Sequence, residues 1–386
     1  MKIVHVISSI DPGHGGVQAV AMRIAAAQCG LNLDVHVVSY ADALIRAQVM
    51  EIGKSIPNFS RIHWHLLPPA GALERVFCRQ GRKVLRRVLK DAGFVHIHGV
   101  WEPLLLHASK LARGAAIPYC VCPAGMLDHW SLEQKSWKKR LALRLCHKHM
   151  LDNAAFLHLL NVDEVSAVKT LKLRSANLVI PNGVFTEEFD PLPRTGLFKQ
   201  KLSLSPDRRY VLFLSRLHFK KGTDILAKAF AAICDTYPDV DLVVAGPDGG
   251  ARDDLLALVR KFDIQQRVHL IGPIYGEMKI EAIVDAACFC LPSRQEGFSM
   301  AITESLACGT PVVISDQCHF PEVGTADAGI IVPVDPTEVA RALARILDDT
   351  ARARSMGLNG RKMVFEQFTW PAIADATLRG YRAASA

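Results

Sequence analysis

The chain has 386 residues and a mass of 42.4 kDa, room for two domains at roughly 150 residues each. Its 50% apolar and 22% charged residues exclude a disordered or fibrous chain, and no run of about 18 apolar residues is present to make a membrane-spanning helix. Net charge is +8 but uneven: residues 1–180 carry 23 Lys and Arg against 12 Asp and Glu, and the remainder carries 23 against 26.

In chain order, short β-branched runs alternate with helical spacing. The first half has runs at 3–8, 34–40, 61–67, 94–98, 119–122, 156–160 and 177–180. After Pro181-Asn182-Gly183 and the prolines 191 and 193, the pattern restarts at 210–215, 241–245, 268–271, 288–291, 311–315 and 329–332. Such near-continuous apolar runs predict strands covered on both faces, as parallel sheets require. Helices are expected at 17–29 with Gly30 as the stop, at 223–232 with Thr223 as the cap, at 336–347 and at 370–382. The predicted fold is α/β: two doubly wound Rossmann-like domains, 1–185 and 186–367, facing a cleft, with 368–386 a helix returning to the first. The first residues read as a strand entering a Gly-rich loop rather than a cleavable leader, so a cytoplasmic location is expected. The ten cysteines show no ligand spacing and are expected as buried free thiols.

Chemistry concentrates at four places. Asp11-Pro12-Gly13-His14-Gly15-Gly16 follows a strand and opens a helix, but Gln18 stands where a dinucleotide fingerprint needs its third glycine. Gly15 and Gly16 leave open backbone N–H groups able to approach a phosphate or a sugar; a plain tight turn is equally compatible. Arg216 and Lys221 are two cations beside a helix start, a planar fork and a point charge suited to a diphosphate, or else a solvated basic turn. Glu296 and Glu304 flank a strand-to-helix turn, where Gly297 permits close approach and the amides of Phe298, Ser299 and Met300 become open donors. Both carboxylates suit sugar or ribose hydroxyls. Asp239-Val240-Asp241 lies at the start of a strand and is read as chance, and His63-Trp64-His65 and His147-Lys148-His149 lack a third ligand at telling spacing, so no metal and no cofactor are expected. Two basic stretches read as helices, 74–90 with Phe77, Val84 and Val88 at helical spacing and 134–150 with Trp137, Leu141 and Leu145 on one face, and suit an anionic membrane surface or a solvated basic helix on its own domain. Nucleic acid is not expected, because no recognition motif accompanies the charge.

From Glu296 to Glu304, and on through Ser305-Leu306-Ala307-Cys308-Gly309-Thr310-Pro311, the sequence resembles the glutamate–seven–glutamate motif of retaining glycosyltransferases. More narrowly it resembles glycosyltransferase family four, of the GT-B fold. The likeness extends over Gly15-Gly16, Val95-His96-Ile97-His98-Gly99, Ile180-Pro181-Asn182-Gly183-Val184, Ser215-Arg216-Leu217 with Lys221-Gly222, Ala245-Gly246-Pro247 and Phe368-Thr369-Trp370. The resemblance implies a nucleotide-diphosphate sugar as donor and a glycan or lipid-linked saccharide as acceptor. It also implies that Arg216 and Lys221 hold the diphosphate, Glu304 the ribose, Glu296 the donor sugar, and the loop 272–275, with Tyr275, the base. One departure stands out. In Pro123-Ala124-Gly125-Met126-Leu127, Ala124 replaces a histidine of one subgroup, whose contact with the sugar is then absent or supplied by His98, His14 or His129, with His98 preferred at its strand end.

Overall fold

Strands form where the apolar runs lie. In the computed structural model, which describes residues 1–128 and 142–385, these are β1 (Lys2–Ser9), β2 (Asp34–Tyr40), β3 (His63–Leu67), β4 (Phe94–His98), β5 (Tyr119–Cys122), β6 (Phe156–Leu159) and β7 (Ala176–Val179). The second series is β8 (Arg209–Leu214), β9 (Val240–Ala245), β10 (Val268–Gly272), β11 (Cys288–Leu291), β12 (Val312–Ser315) and β13 (Gly329–Val332). The strands β4, β5, β6, β9, β11 and β12 are buried at every residue, which explains why apolar residues dominate them, with His96 and His98 of β4, His158 of β6 and Asp241 of β9 among the buried polar exceptions.

Seven strands pair in the order β3-β2-β1-β4-β5-β6-β7 and six in the order β10-β9-β8-β11-β12-β13, and the pairings described are parallel. Both sheets are doubly wound, with the order reversing between β1 and β4 in one and between β8 and β11 in the other. The chain divides into Met1–Phe185 with Thr369–Ala386, and Thr186–Phe368. The helix Trp370–Ser385 belongs to the first unit, where Trp370, Ile373, Leu378 and Tyr381 are buried, and Tyr381 stacks on Phe94 at 4.2 Å. Each such side chain stabilises the unit by roughly 1.5–3 kcal/mol when taken fully out of water.

Two expectations are corrected. Thr223 does not cap its helix: the helix Thr223–Ile233 is preceded by Gly222 at φ 69°, and Thr223 is buried within the first turn. A Cβ on Gly222 would stand 2.0 Å from the Pro292 carbonyl oxygen, so the backbone there admits glycine alone. The basic stretch 74–90 is not one helix either. It breaks at Cys78 (φ 47°) into Ala72–Phe77 and Arg79–Val88, because Glu74 accepts hydrogen bonds from the N–H groups of Gln80 (3.0 Å) and Gly81 (2.8 Å), at the start of the second helix. The second helix buries Gly81, Leu85 and Val88, while Leu73, Val76 and Phe77 of the first stand exposed. In the other basic stretch, 134–150, residues 134–141, with Trp137 and Leu141, lie outside the described residues, as does His129, and the remainder is helical through Leu143–His147 and Lys148–Asp152. The cysteines described are free thiols, all buried except the half-buried Cys146.

Candidate functional site

In a doubly wound sheet the loops at the carboxyl ends of the strands diverge where the order reverses, and that opening receives ligands. In the second unit the place is between β8 and β11, and the sequence-predicted residues meet there. The turn after β8 is held by two glycines. A Cβ on Gly246 (φ 145°) would lie 1.9 Å from the Ser215 carbonyl oxygen, and one on Gly249 would lie 2.7 Å from Cγ of Arg216. Arg216 therefore leaves the strand across a bare glycine, and its side chain is exposed. The next turn, Phe219–Lys221, brings Lys221 back toward β11, where its ammonium forms an ion pair with Oε1 of Glu296. Oε1 also accepts from the Ser293 hydroxyl at 3.0 Å, and the Glu296 amide donates to the Gln317 carbonyl at 3.0 Å. Glu296 is buried, so its charge is met by a cation and a hydroxyl rather than by water.

The loop then bends at Gly297 and enters the helix Met300–Ala307. The Phe298 ring turns toward Phe320 (5.3 Å) and Phe368 (6.1 Å), which anchors the loop through its side chain. Ser299 occupies the N-cap without a side-chain cap bond, so the first-turn amides around Met300 keep their donor character. Glu304, one turn in, is buried and paired with Lys279 at 2.6 Å. Lys279 comes from the helix Gly276–Val284, whose N-cap is the exposed Tyr275. Glu304 and the 272–275 loop are thus coupled through one lysine that sequence reasoning missed. Arg294 was missed as well. Its guanidinium forms a two-pronged pair with Asp224 (2.7 and 2.8 Å) and donates to the Phe219 carbonyl, stitching the loop after β11 to the Lys221 turn. Neither role is readable from local spacing, since Lys279 and Glu304 lie 25 positions apart and Arg294 and Asp224 lie 70 apart.

Asp239-Val240-Asp241 has an occupant for each carboxylate. Asp239 meets Arg209 at 2.6 Å, and the buried Asp241 meets Arg267 at 2.8 Å and Arg208. Burial pushes the Asp241 carboxyl up, but hydrogen bonds from His269, Arg208 and Arg267 outweigh it and hold the group well below the usual carboxylate range.

In the first unit the order reverses between β1 and β4. Asp11 accepts from the Gly13 amide at 2.8 Å and turns the chain. Gly15 (φ 118°, ψ −152°) then takes a conformation open essentially to glycine alone, as N-cap of the helix Gly16–Gly30. No atom lies within 4 Å of a Cβ built on Gly15 or Gly16, so the helix start is open. Asn182 is buried in the loop after β7. Ala124 sits at φ 49° in a loop held by Glu164, whose carboxylate accepts from the amides of Gly125 (2.5 Å) and Leu160 (2.7 Å) and which burial pushes up to about 7.

His98 ends β4 and lies not at an open surface but in a chain of hydrogen bonds whose directions follow from its ends. The Ile180 carbonyl can only accept, so Nε2 of His158 donates to it (2.9 Å) and Nδ1 of His158 accepts from Nε2 of His96 (3.3 Å). Nδ1 of His96 then accepts from the Tyr381 hydroxyl (2.7 Å), which accepts from the Gln28 amide nitrogen (3.0 Å). The Gln28 amide oxygen takes the Nε2 proton of His5 (2.8 Å), and Nδ1 of His5 accepts from Nε2 of His98 (2.9 Å). Burial lowers all four imidazoles, His5 and His158 to about 4, so all four are neutral at pH 7. The chain ends on Nδ1 of His98, a buried unprotonated acceptor with no partner among the described residues.

Comparison with known proteins bears on the family and the fold. The family description "Glycosyl transferases group 1" matches residues 196–363, and "Glycosyl transferase 4-like domain" matches residues 15–183. A phosphatidyl-myo-inositol mannosyltransferase of Mycolicibacterium smegmatis is 27% identical over 96% of this chain and 91% of its own. A D-inositol 3-phosphate glycosyltransferase of Kineococcus radiotolerans is 30% identical over 54% of this chain. The chain spans about half the length of several curated relatives that it matches, the Kineococcus protein (52%) among them. Among solved structures, sucrose-phosphate synthase from Thermosynechococcus elongatus superposes with a TM-score of 0.78 at 21% identity, covering 99% of this chain and 98% of that one, and shares the two-sheet GT-B architecture.

Proposed function

The chain belongs to the group 1 glycosyl transferases, and from that premise we propose that it moves a sugar, with retention of configuration, from a nucleotide-diphosphate sugar to a glycan or lipid-linked saccharide of an envelope or polysaccharide pathway. The observation that carries this reading is the convergence of Arg216, Lys221 and the open helix start at Met300 on one reversal point, with Glu296 and Glu304 beside them. Breaking the bond between the sugar and the diphosphate leaves negative charge on the departing phosphate oxygen while the sugar gains oxocarbenium character. Fixed donors and cations placed there in advance lower that barrier. Arg216 is free to take the diphosphate; Lys221 keeps ammonium protons for it while Glu296 holds the side chain in place. In this reading the departing phosphate oxygen takes the acceptor hydroxyl's proton as that hydroxyl bonds the anomeric carbon on the face just vacated. Glu304 takes the ribose hydroxyls and Tyr275 flanks the base. The two cations and the helix start do the work a metal ion would do, so the transfer is proposed to need none. His98, neutral and with its bare Nδ1 buried, is not suited to deliver a proton to the reacting sugar.

The basic first half and the exposed Leu73, Val76 and Phe77, followed by Arg79, Lys83, Arg86 and Arg87, support a peripheral seat on an anionic membrane, on its cytoplasmic side. The family relationship to a phosphatidyl-myo-inositol mannosyltransferase favours a lipid-linked acceptor. No helix among the described residues is long and apolar enough to cross a membrane.

Calorimetry against UDP, GDP, ADP and CMP and their sugar conjugates tests the donor site. One nucleoside diphosphate is expected to bind saturably, and Arg216→Gln to weaken it at least tenfold with an unchanged Tm, since the side chain is exposed. Equal affinity in the variant, or silence across the panel, would overturn the assignment; nucleotide release without an acceptor would point to a hydrolase or epimerase instead.

A further inference from the structure

At the amino edge of the first sheet, away from the loops described above, four polar side chains share one face. Asp34 and His36 lie two apart on β2, and His63 and His65 two apart on the edge strand β3. Register pairs His36 with His63 and Val38 with His65, so the alternation of a strand puts all four side chains together, while Trp64 between them turns to the other face and packs on Phe59 at 5.1 Å. Spacing along β3 alone offers no carboxylate; the register supplies it from the neighbouring strand.

Oδ1 of Asp34 stands 3.1 Å from Nε2 of His36 and 3.5 Å from Nε2 of His63, and the three atoms lie within 4.8 Å of one another. Zinc bonds of 2.0–2.2 Å to nitrogen and oxygen in a tetrahedron set ligand atoms about 3.3 Å apart. Both measured edges bracket that value. A metal-bound histidine also needs a partner for its other ring nitrogen, and Nδ1 of His36 lies 2.9 Å from Nε2 of His65. Asp34 and His63 are about half exposed or more, so an ion and a completing water have access.

We propose that Asp34, His36 and His63 form a zinc-class divalent metal site that clips the edge strand β3 to β2, with His65 as its positioning residue. On binding, Nε2 of His36 and Nε2 of His63 each release a proton or shift it to the ring's other nitrogen; His36 then donates from Nδ1 to Nε2 of His65, whose own Nε2 proton moves to its Nδ1. The two other histidine groupings of this unit, around His96, are fully buried, and the ring nitrogens of His5, His96 and His158 already bond to one another or to fixed partners.

The untagged chain, stripped with chelator, is titrated with Zn²⁺ by calorimetry and with Co²⁺ by visible absorption. One ion per chain is expected, with the intense visible bands of four-coordinate cobalt and a rise in Tm. His63→Ala and Asp34→Asn should each lower affinity at least tenfold, and His65→Ala roughly 10- to 100-fold. His63 is exposed on an edge strand, so its variant is expected to keep the metal-free Tm of the parent. Absence of binding, or the same stoichiometry and affinity in both ligand variants, overturns the proposal and leaves a triad that only shares protons.

Discussion

Glu296 and Glu304 are both buried, and each is answered by a lysine from another element, so neither can lose its partner cheaply. Removing one member of a buried pair strands the other charge away from water and costs roughly 3 kcal/mol or more. Lys279→Met should therefore lower the unfolding free energy by about that amount, and Glu304→Gln added to it should restore part of the loss. A double-mutant cycle by urea denaturation checks this: the expected coupling is about 1–3 kcal/mol, and strictly additive effects would show that the pair contributes nothing. A second residue-scale prediction concerns Gly246. Its φ of 145° and the 1.9 Å approach of a built Cβ to the Ser215 carbonyl mean that Gly246→Ala must shift the backbone that carries Arg216. Strain plus overlap should cost about 3 kcal/mol, and nucleotide affinity should fall with it. A variant with parental Tm and affinity would show that the turn is not rigid.

At the scale of elements, thirteen runs were legible as the thirteen strands of the described residues, most readily where a strand buried on both faces is mainly apolar, and least so at the partly exposed edge strands β3 and β7. What the runs could not disclose is their lateral order, and with it the two reversal points that bring Arg216 and Lys221 beside Glu296. The histidine chain was illegible for the same reason. His5, His96 and His158 sit on β1, β4 and β6, and only parallel register stacks them, with His5 opposite His96. The basic helix was misread because Glu74 folds back on the amides of Gln80 and Gly81, a competition that helical spacing does not record. The helix Trp370–Ser385 closes the chain of hydrogen bonds through Tyr381, which gives to His96 and receives from Gln28. Tyr381→Phe keeps the ring stacked on Phe94 but leaves the buried Nδ1 of His96 unanswered, a cost of about 1–3 kcal/mol, while the Gln28 amide nitrogen keeps its bond to the Thr377 hydroxyl at 3.0 Å. Hydrogen exchange should then quicken first in residues 370–385; unchanged protection there would mean that ring burial alone holds the helix.

For the whole molecule, buried titratable groups of opposite sign set the response to pH. His5, His96, His98 and His158 are depressed by burial below 6.5, to about 4 for His5 and His158, so the unfolded chain binds their protons first. Their contribution is present in full above pH 6.5 and is lost as pH falls toward 4, at about 1.4 kcal/mol per pH unit for each histidine. Glu164 works the other way. Raised by burial from 4.5 to about 7, it contributes fully below pH 4.5, and that contribution is lost as pH rises through 7. Four histidines oppose one carboxyl, so acidification from pH 6.5 to 4.5 should destabilise the chain. Glu164→Gln, which removes the opposing group, should steepen the fall by up to the slope of one proton and raise stability at pH 7.5 relative to pH 5. Urea denaturation at half-unit intervals of pH reads both slopes. A parent profile that is flat between pH 6.5 and 4.5 would mean that the histidines are not neutral in the folded chain. An unchanged slope in the Glu164→Gln variant would mean that Glu164 is ionised while bound to the amides of Gly125 and Leu160.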